Sequence, residues 1–186
     1  MTLKLIDASP DPFARIKIVS DSLLTVDLCE EAKGEPLYLM VEPDEQTILE
    51  FTLEAGTGLL NYFRLVTIPR RRVTTTQTDL DGPMIPTDGR RPAFSLDAWP
   101  PDISAPDWKS AEWKRRFVEV KDDFALIIGP STASLHFTAR EQPVRWVVNT
   151  RVRFGFDADG QLSRIDLFNL KADEVSTLNE TVSHLA

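Results

Sequence analysis

Apolar and polar side chains alternate from Val144 to Phe156, and this is the clearest pattern in the chain. The even-numbered positions, among them Val144, Trp146 and Phe156, are mostly β-branched or aromatic and share one face of an extended strand. Turn-forming residues follow at 157–160, after which the chain runs back. The pattern therefore predicts a long β-hairpin over 143–170 with one buried face.

Charges predict how the two strands of this hairpin pair. A four-residue loop at 157–160 pairs Val152 with Ile165 and sets Arg151 opposite Asp166 on the polar face, where opposite charges attract. A three-residue loop would instead set Val152 against Asp166. Because a slip of one residue turns every side chain to the other face of the sheet, we predict the first register.

The rest of the chain also follows strand patterns. Further strands are predicted at 72–78, 124–128 and 134–138, and helical spacing predicts a short helix near 105–116 and a C-terminal helix near 173–185. The first third predicts an antiparallel meander of about five strands, at 13–20, 23–29, 37–41, 47–53 and 59–68. We therefore expect a mainly β fold of about ten antiparallel strands, forming either a barrel or a two-sheet sandwich.

A proline-rich excursion at 69–106 interrupts the strand pattern and holds seven of the thirteen prolines. A chain of 186 residues is expected to form a single domain, here 1–186. Loops this long inside a compact domain are uncommon and often serve as lids or binding loops. The alternative is that the excursion covers one open end of the barrel or sandwich.

Charge is unevenly distributed along the chain. The net charge of −8 comes entirely from residues 1–60, which carry twelve acidic and four basic side chains, because the remainder is neutral. An acidic protein repels nucleic acids and anionic membranes, so neither is expected as a partner. A single cysteine, no signal peptide and no long apolar run together favour a cytoplasmic location.

Residues suited to catalysis or metal binding are few. His136 lies on a predicted strand near Ser131 and Ser134, but no nucleophile motif surrounds it, so a hydrogen-bonded strand histidine is the simpler interpretation. The 157–160 tip matches a calcium loop only in part, because Gly155 would occupy the first ligand position. We interpret it as a turn, and we expect neither a metal nor a cofactor.

Tryptophan and arginine concentrate in one region of the sequence. Three of the four tryptophans fall between residues 90 and 117, together with two basic clusters, and this combination is typical of interface anchors. The candidate binding residues are Trp99, Trp108, Trp113, Arg115 and Arg116. The alternative is that the tryptophans hold the loop against the body while the arginines pair with the acidic first third.

These features support three hypotheses. The first is a non-enzymatic binding protein that contacts another protein, for example a basic one, through the loop and helix over 90–117. The second is a β-barrel that binds a small apolar ligand under a loop lid. The third is an enzyme that uses carboxylates or His136 inside the barrel.

Overall fold

The computed structural model describes residues 3–11, 13–19, 22–32, 35–80, 89–100 and 111–184, with the backbone alone for residues 19, 111–113, 183 and 184. The described chain is mainly β. Its strands are β1 (Leu5–Pro10), β2 (Arg15–Val19), β3 (Ser22–Asp27), β4 (Pro36–Asp44), β5 (Thr47–Glu54), β6 (Leu60–Thr67), β7 (Val73–Thr75), β8 (Arg90–Phe94), β9 (Phe117–Val120), β10 (Phe124–Ile128), β11 (Ala133–Phe137), β12 (Arg145–Val148), β13 (Val152–Phe156) and β14 (Leu162–Leu167).

Two six-stranded sheets form a sandwich and do not close into a barrel. The first has the order β2-β3-β6-β5-β4-β9, and the second has the order β12-β13-β14-β11-β10-β7. The β-rich prediction is confirmed, and the sandwich is the alternative that holds. Across the sandwich, the rings of Phe63 and Phe154 meet edge to face at 6.0 Å, an arrangement that aromatic pairs favour.

The first sheet contains the five predicted strands in a different order from a meander. Strands β4, β5 and β6 follow one another by hairpins, while β3 lies beside β6, which is a Greek-key arrangement. Two strand pairs at the sheet edges, β4 with β9 and β10 with β7, are parallel, whereas antiparallel pairing was predicted. Long stretches of chain separate β4 from β9 and β7 from β10, and parallel pairing requires such crossovers.

The predicted long strand at 144–156 is wrong, because the chain folds back within it. Strands β12 and β13 pair antiparallel, with Val147 opposite Phe154. Between them, the Asn149 side-chain amide donates to the backbone carbonyl of Asp11 at 2.8 Å and to that of Arg90 at 3.2 Å. These two bonds tie the turn to distant segments of the chain and so hold it in place.

This turn changes which residues of β12 face the core. Val147, predicted on the polar face, is buried, whereas Val144 is 72% exposed. Trp146 lies on the opposite face, where its ring is 4.1 Å from the guanidinium carbon of Arg153. On that face Trp146 therefore packs against Arg153.

The predicted register of β13 with β14 is also wrong. Val152 pairs with Leu167 and Arg153 with Asp166, so both predicted pairs are displaced by two residues. The turn holds three residues between its closing pair and not four as predicted, because the Asp157 amide donates to the Gln161 carbonyl at 2.9 Å. This moves the strand pairing by one residue. A bulge beside Gly155 supplies the second shift.

Because the two shifts add to an even number, the predicted inner face of this hairpin is correct. Val152, Phe154 and Ile165 are all buried. The turn interpretation of the tip is confirmed, since Asp157 Oδ1 accepts from the amides of Asp159 and Gln161. No group of three or more metal-binding side chains occurs in the described part of the chain.

The small sheet of β1 and β8 was not predicted, and it links the two large sheets. The Leu162 amide donates to the Leu3 carbonyl at 2.9 Å on one side, and the Phe94 amide donates to the Gly58 carbonyl at 2.9 Å on the other. Arg90 and Arg91, part of the predicted proline-rich excursion, lie on β8. Part of that excursion is thus regular structure.

Both predicted helices correspond to helical segments, and a further 3₁₀ helix at Arg70–Arg72 was not predicted. Helix α1 spans Ala172–His184 and packs on β2 and β3 through the fully buried Leu178 and Val182. A short 3₁₀ helix spans Ala111–Arg116, while residues 105–110 of the predicted helix lie outside the described residues. Among the helices described, none is long and apolar enough to cross a membrane.

Candidate functional site

Several arginines pair with carboxylates of the acidic first third, among them two from the basic run at 70–72. Arg72 and Arg71 both pair with Asp44, at 3.1 and 2.9 Å. Arg116 Nη2 lies 3.0 Å from Glu35 Oε2, and its Nη1 donates to the Pro36 carbonyl at 3.0 Å. This matches the alternative drawn from the sequence, in which the arginines pair with the acidic first third.

Trp99 and Arg116 are brought together and both are buried. Trp99 is 6% exposed, and its indole N–H donates to the backbone carbonyl of Arg116 at 2.9 Å. Arg116 is 1% exposed. These contacts fix the end of the loop to the 3₁₀ helix and leave one edge of the Trp99 ring along a cavity.

The other candidate residues are placed differently. Arg115 is exposed on the 3₁₀ helix, next to the equally exposed Lys114. Trp108 and the side chain of Trp113 lie outside the described residues. Beside the helix, Phe117 stacks on Tyr38 with ring centroids 4.6 Å apart. The role of the five candidates as binding anchors stays a prediction.

A cavity of about 510 Å³ opens against Trp99, and we name it the Trp99 groove. Its volume lies in the range of known ligand pockets. Gly56, with a φ of 91°, turns the chain between β5 and β6 at the groove's edge. The lining is mainly apolar and consists of Leu37, Ala55, Gly56, Leu96, Asp97, Trp99 and Pro100.

A second cavity, of about 540 Å³, opens beside Arg91, and we name it the Arg91 cleft. The sequence pointed to Arg91 only as a member of a basic cluster and did not separate it from Arg90. Alternation on β8 would have done so, since Arg90 is exposed and Arg91 is buried. The cleft is lined by Asp11, Phe13, Cys29, Glu30, Glu31, Glu54 and Arg91.

His136 does not form a catalytic arrangement with the nearby serines. The Ser134 hydroxyl donates to Asp166, and the Ser131 hydroxyl donates to Asp79 at 2.7 Å, so each is engaged elsewhere. His136 Nε2 is buried without a hydrogen-bond partner. Burial, aided by the charge of Arg164, lowers the pKa of His136 and favours the neutral imidazole.

Cys29 lies in the Arg91 cleft as an unactivated thiol. Its Sγ contacts Asn61 Oδ1 at 3.6 Å. Burial raises the pKa of the Cys29 thiol, which outweighs the lowering effect of Arg91. The thiol form therefore dominates at neutral pH.

Comparison with known proteins does not assign the chain to a family. Neither the protein-family models nor the curated proteins include a match to this sequence.

Proposed function

We propose that this protein is a non-enzymatic binding protein in which the 90–117 segment receives an apolar part of another protein. The observation that carries the proposal is the Trp99 groove. It lies along the segment in which the sequence concentrates tryptophan and arginine, and a tryptophan forms part of its wall.

The groove is held in shape before any partner arrives. Trp99 is fixed by its indole bond to the Arg116 carbonyl, and its own amide donates to the Leu96 carbonyl at 2.9 Å. Arg116 is in turn fixed by Glu35. A preformed apolar surface loses little conformational entropy on binding, so its burial contributes more fully to affinity.

Exposed groups around the segment suit a protein partner. Lys114 and Arg115 project from the 3₁₀ helix, and Asp97 is exposed at the groove itself. An apolar centre with charged groups near it is the usual layout of protein interfaces. Together with the cytoplasmic location expected from the sequence, these features complete the proposal.

A small apolar ligand in the same groove is the second candidate, favoured by the Leu37, Leu96 and Pro100 lining. The barrel of the original hypothesis is replaced here by a surface groove. Native mass spectrometry of freshly purified protein distinguishes the two. A stoichiometric bound small molecule supports the ligand, while a bare chain mass counts against it.

Site-specific photo-crosslinking tests the proposal directly. A photoreactive amino acid at position 96 should cross-link one discrete protein in an extract of the natural source. The same amino acid at position 145 serves as the control, because Arg145 is exposed on the edge strand β12 of the other sheet.

The affinity of the identified partner provides the quantitative test. Leu96→Lys should weaken binding at least about tenfold, because a charged group then faces the apolar groove. Arg145→Glu should leave the affinity unchanged. Equal affinities for the wild type and Leu96→Lys would show that the groove is not the contact surface.

A further inference from the structure

The Arg91 cleft contains a buried cation with too few partners. Arg91 is 8% exposed, and its Nη1 donates to Asn61 Oδ1 at the long distance of 3.4 Å. Its Nε lies 3.6 Å from Asp11 Oδ2, which is beyond hydrogen-bond reach, and has no other partner. A guanidinium has five donors, and a buried charge that is poorly paired is costly.

The neighbouring Asn61 side chain also has an unpaired hydrogen-bond donor. Asn61 is 2% exposed, and its side-chain Nδ2 has no hydrogen-bond partner. Its Oδ1 is shared between Arg91 Nη1 and the Cys29 thiol. Arg91, which lines the cleft, thus has an unpaired donor there, and a ligand oxygen would satisfy it.

The rim of the cleft has the opposite charge. Four carboxylates, those of Asp11, Glu30, Glu31 and Glu54, line the cleft against the single guanidinium of Arg91. Glu30 and Glu31 are exposed, so they face solvent with little cost. A simple anion would be repelled by this rim, whereas a molecule that also carries positive charge would be attracted.

We propose that the Arg91 cleft binds a free amino acid with a basic side chain. Its carboxylate would accept hydrogen bonds from Arg91, and its cationic groups would lie near Glu30, Glu31 and Glu54. Phe13 offers an apolar surface for the methylene groups. The cleft volume of about 540 Å³ accommodates a molecule of this size. This site goes beyond the protein-binding role, because it uses other residues and another cavity.

Isothermal titration calorimetry with L-lysine and L-arginine tests the proposal. We expect saturable binding at one site for at least one of the two. Cadaverine lacks the carboxylate and glutarate lacks the cationic groups, so each should bind at least about tenfold more weakly. Absence of saturable binding for both amino acids at millimolar concentration would overturn the proposal.

Variants on the same strand separate the site from general charge effects. Arg91→Gln should weaken binding at least about tenfold, while Arg90→Gln removes an exposed neighbouring charge and should leave binding unchanged. Equal losses in the two variants would contradict the assignment. If Arg91→Gln does not fold, Glu54→Gln replaces it, with a severalfold weakening expected and unchanged binding overturning the proposal.

Discussion

Asp166 is the buried charge on which the second sheet depends most. It is fully buried and accepts from Arg153 Nε at 2.7 Å, from Arg153 Nη2 at 2.7 Å and from Arg164 Nε at 2.6 Å. The Ser134 hydroxyl donates to it as well. Replacing Asp166 by Asn removes the charge and turns one acceptor into a donor that faces guanidinium groups.

The burial of Arg153 determines how much stability the Asp166→Asn substitution removes. It is 3% exposed and lies over the rings of Trp146 and Phe168, at 4.1 and 4.8 Å, so it cannot turn toward water. Breaking a buried ion pair by removing one partner costs about 3–5 kcal/mol. Since domains are stable by about 5–15 kcal/mol, Asp166→Asn should leave the protein near its folding threshold.

Urea denaturation followed by circular dichroism measures this loss. With a slope of about 2 kcal/mol per molar urea, the midpoint should fall by about 1.5 M or more. Asp159→Asn, at an exposed position of the hairpin tip, is the control and should shift the midpoint by less than about 0.3 M. A comparably small shift for Asp166→Asn would show that the buried ion pair contributes little to stability.

A double variant checks that the loss arises from the pair. Replacing both partners by apolar residues, as in Arg153→Met with Asp166→Leu, removes the unpaired charge that each single change leaves behind. The double variant should therefore be more stable than the sum of the two single losses implies, by at least about 1 kcal/mol. Simple additivity would show that the two side chains do not act as a pair.

Three further predictions concern other parts of the structure. Gly58→Ala should lower the melting temperature strongly, because Gly58 has a φ of 71° and an added Cβ would lie 2.0 Å from the Phe94 carbonyl oxygen. Asp44→Asn should remove stability present above about pH 4, because the Thr47 hydrogen bond lowers the pKa of Asp44 from 3.8 to about 2. Its melting temperature should therefore meet that of the wild type as the pH falls to about 2. Cys29 should react with iodoacetamide at pH 7.5 more slowly than a free cysteine, because burial raises its pKa.

Each of these three predictions can be contradicted by a specific result. Gly56→Ala is the matched control for the glycine, since Gly56 also has a positive φ but no atom within 4 Å of an added Cβ. Equal losses at the two glycines would rule out the close contact as the cause. For Asp44, a gap between variant and wild type that persists unchanged to pH 2 would exclude the lowered pKa. For Cys29, reaction as fast as that of the free amino acid would show an activated thiolate.

Local patterns predicted the elements whose form depends on neighbouring residues. Alternation over 47–53 predicted β5, and helical spacing predicted α1, on whose buried side Leu178 and Val182 lie. Leu49, Phe51 and Leu53 repeat with the two-residue period of a strand, and Leu178 and Val182 have the spacing of a helix. Sequence alone is sufficient for such segments.

Features that depend on distant residues were not predictable. The turn at Asn149 carries no glycine or proline, and alternation continues through it, so nothing local marks it. It is held by carbonyls of Asp11 and Arg90, far away in the sequence. The register of β13 depends on a bulge beside Gly155, which moves the pairing without disturbing the pattern.

In the candidate sites, too, some features were predictable from the sequence and others were not. The alternative interpretation of the basic clusters has arginines pairing with the acidic first third, as Arg116 does with Glu35. It could not predict which arginine would be buried, because that depends on which face of β8 meets the body. The cavities at Trp99 and Arg91 both form where β8 and its following loop approach other strands, so they appear only in three dimensions.

The most direct test of the proposed function is photo-crosslinking at position 96, in the Trp99 groove. A photoreactive amino acid there should yield one discrete cross-linked protein, which position 145 should not yield. Leu96→Lys should weaken the affinity for that protein at least about tenfold. The same cross-link from both positions, or an affinity unchanged by Leu96→Lys, would contradict it.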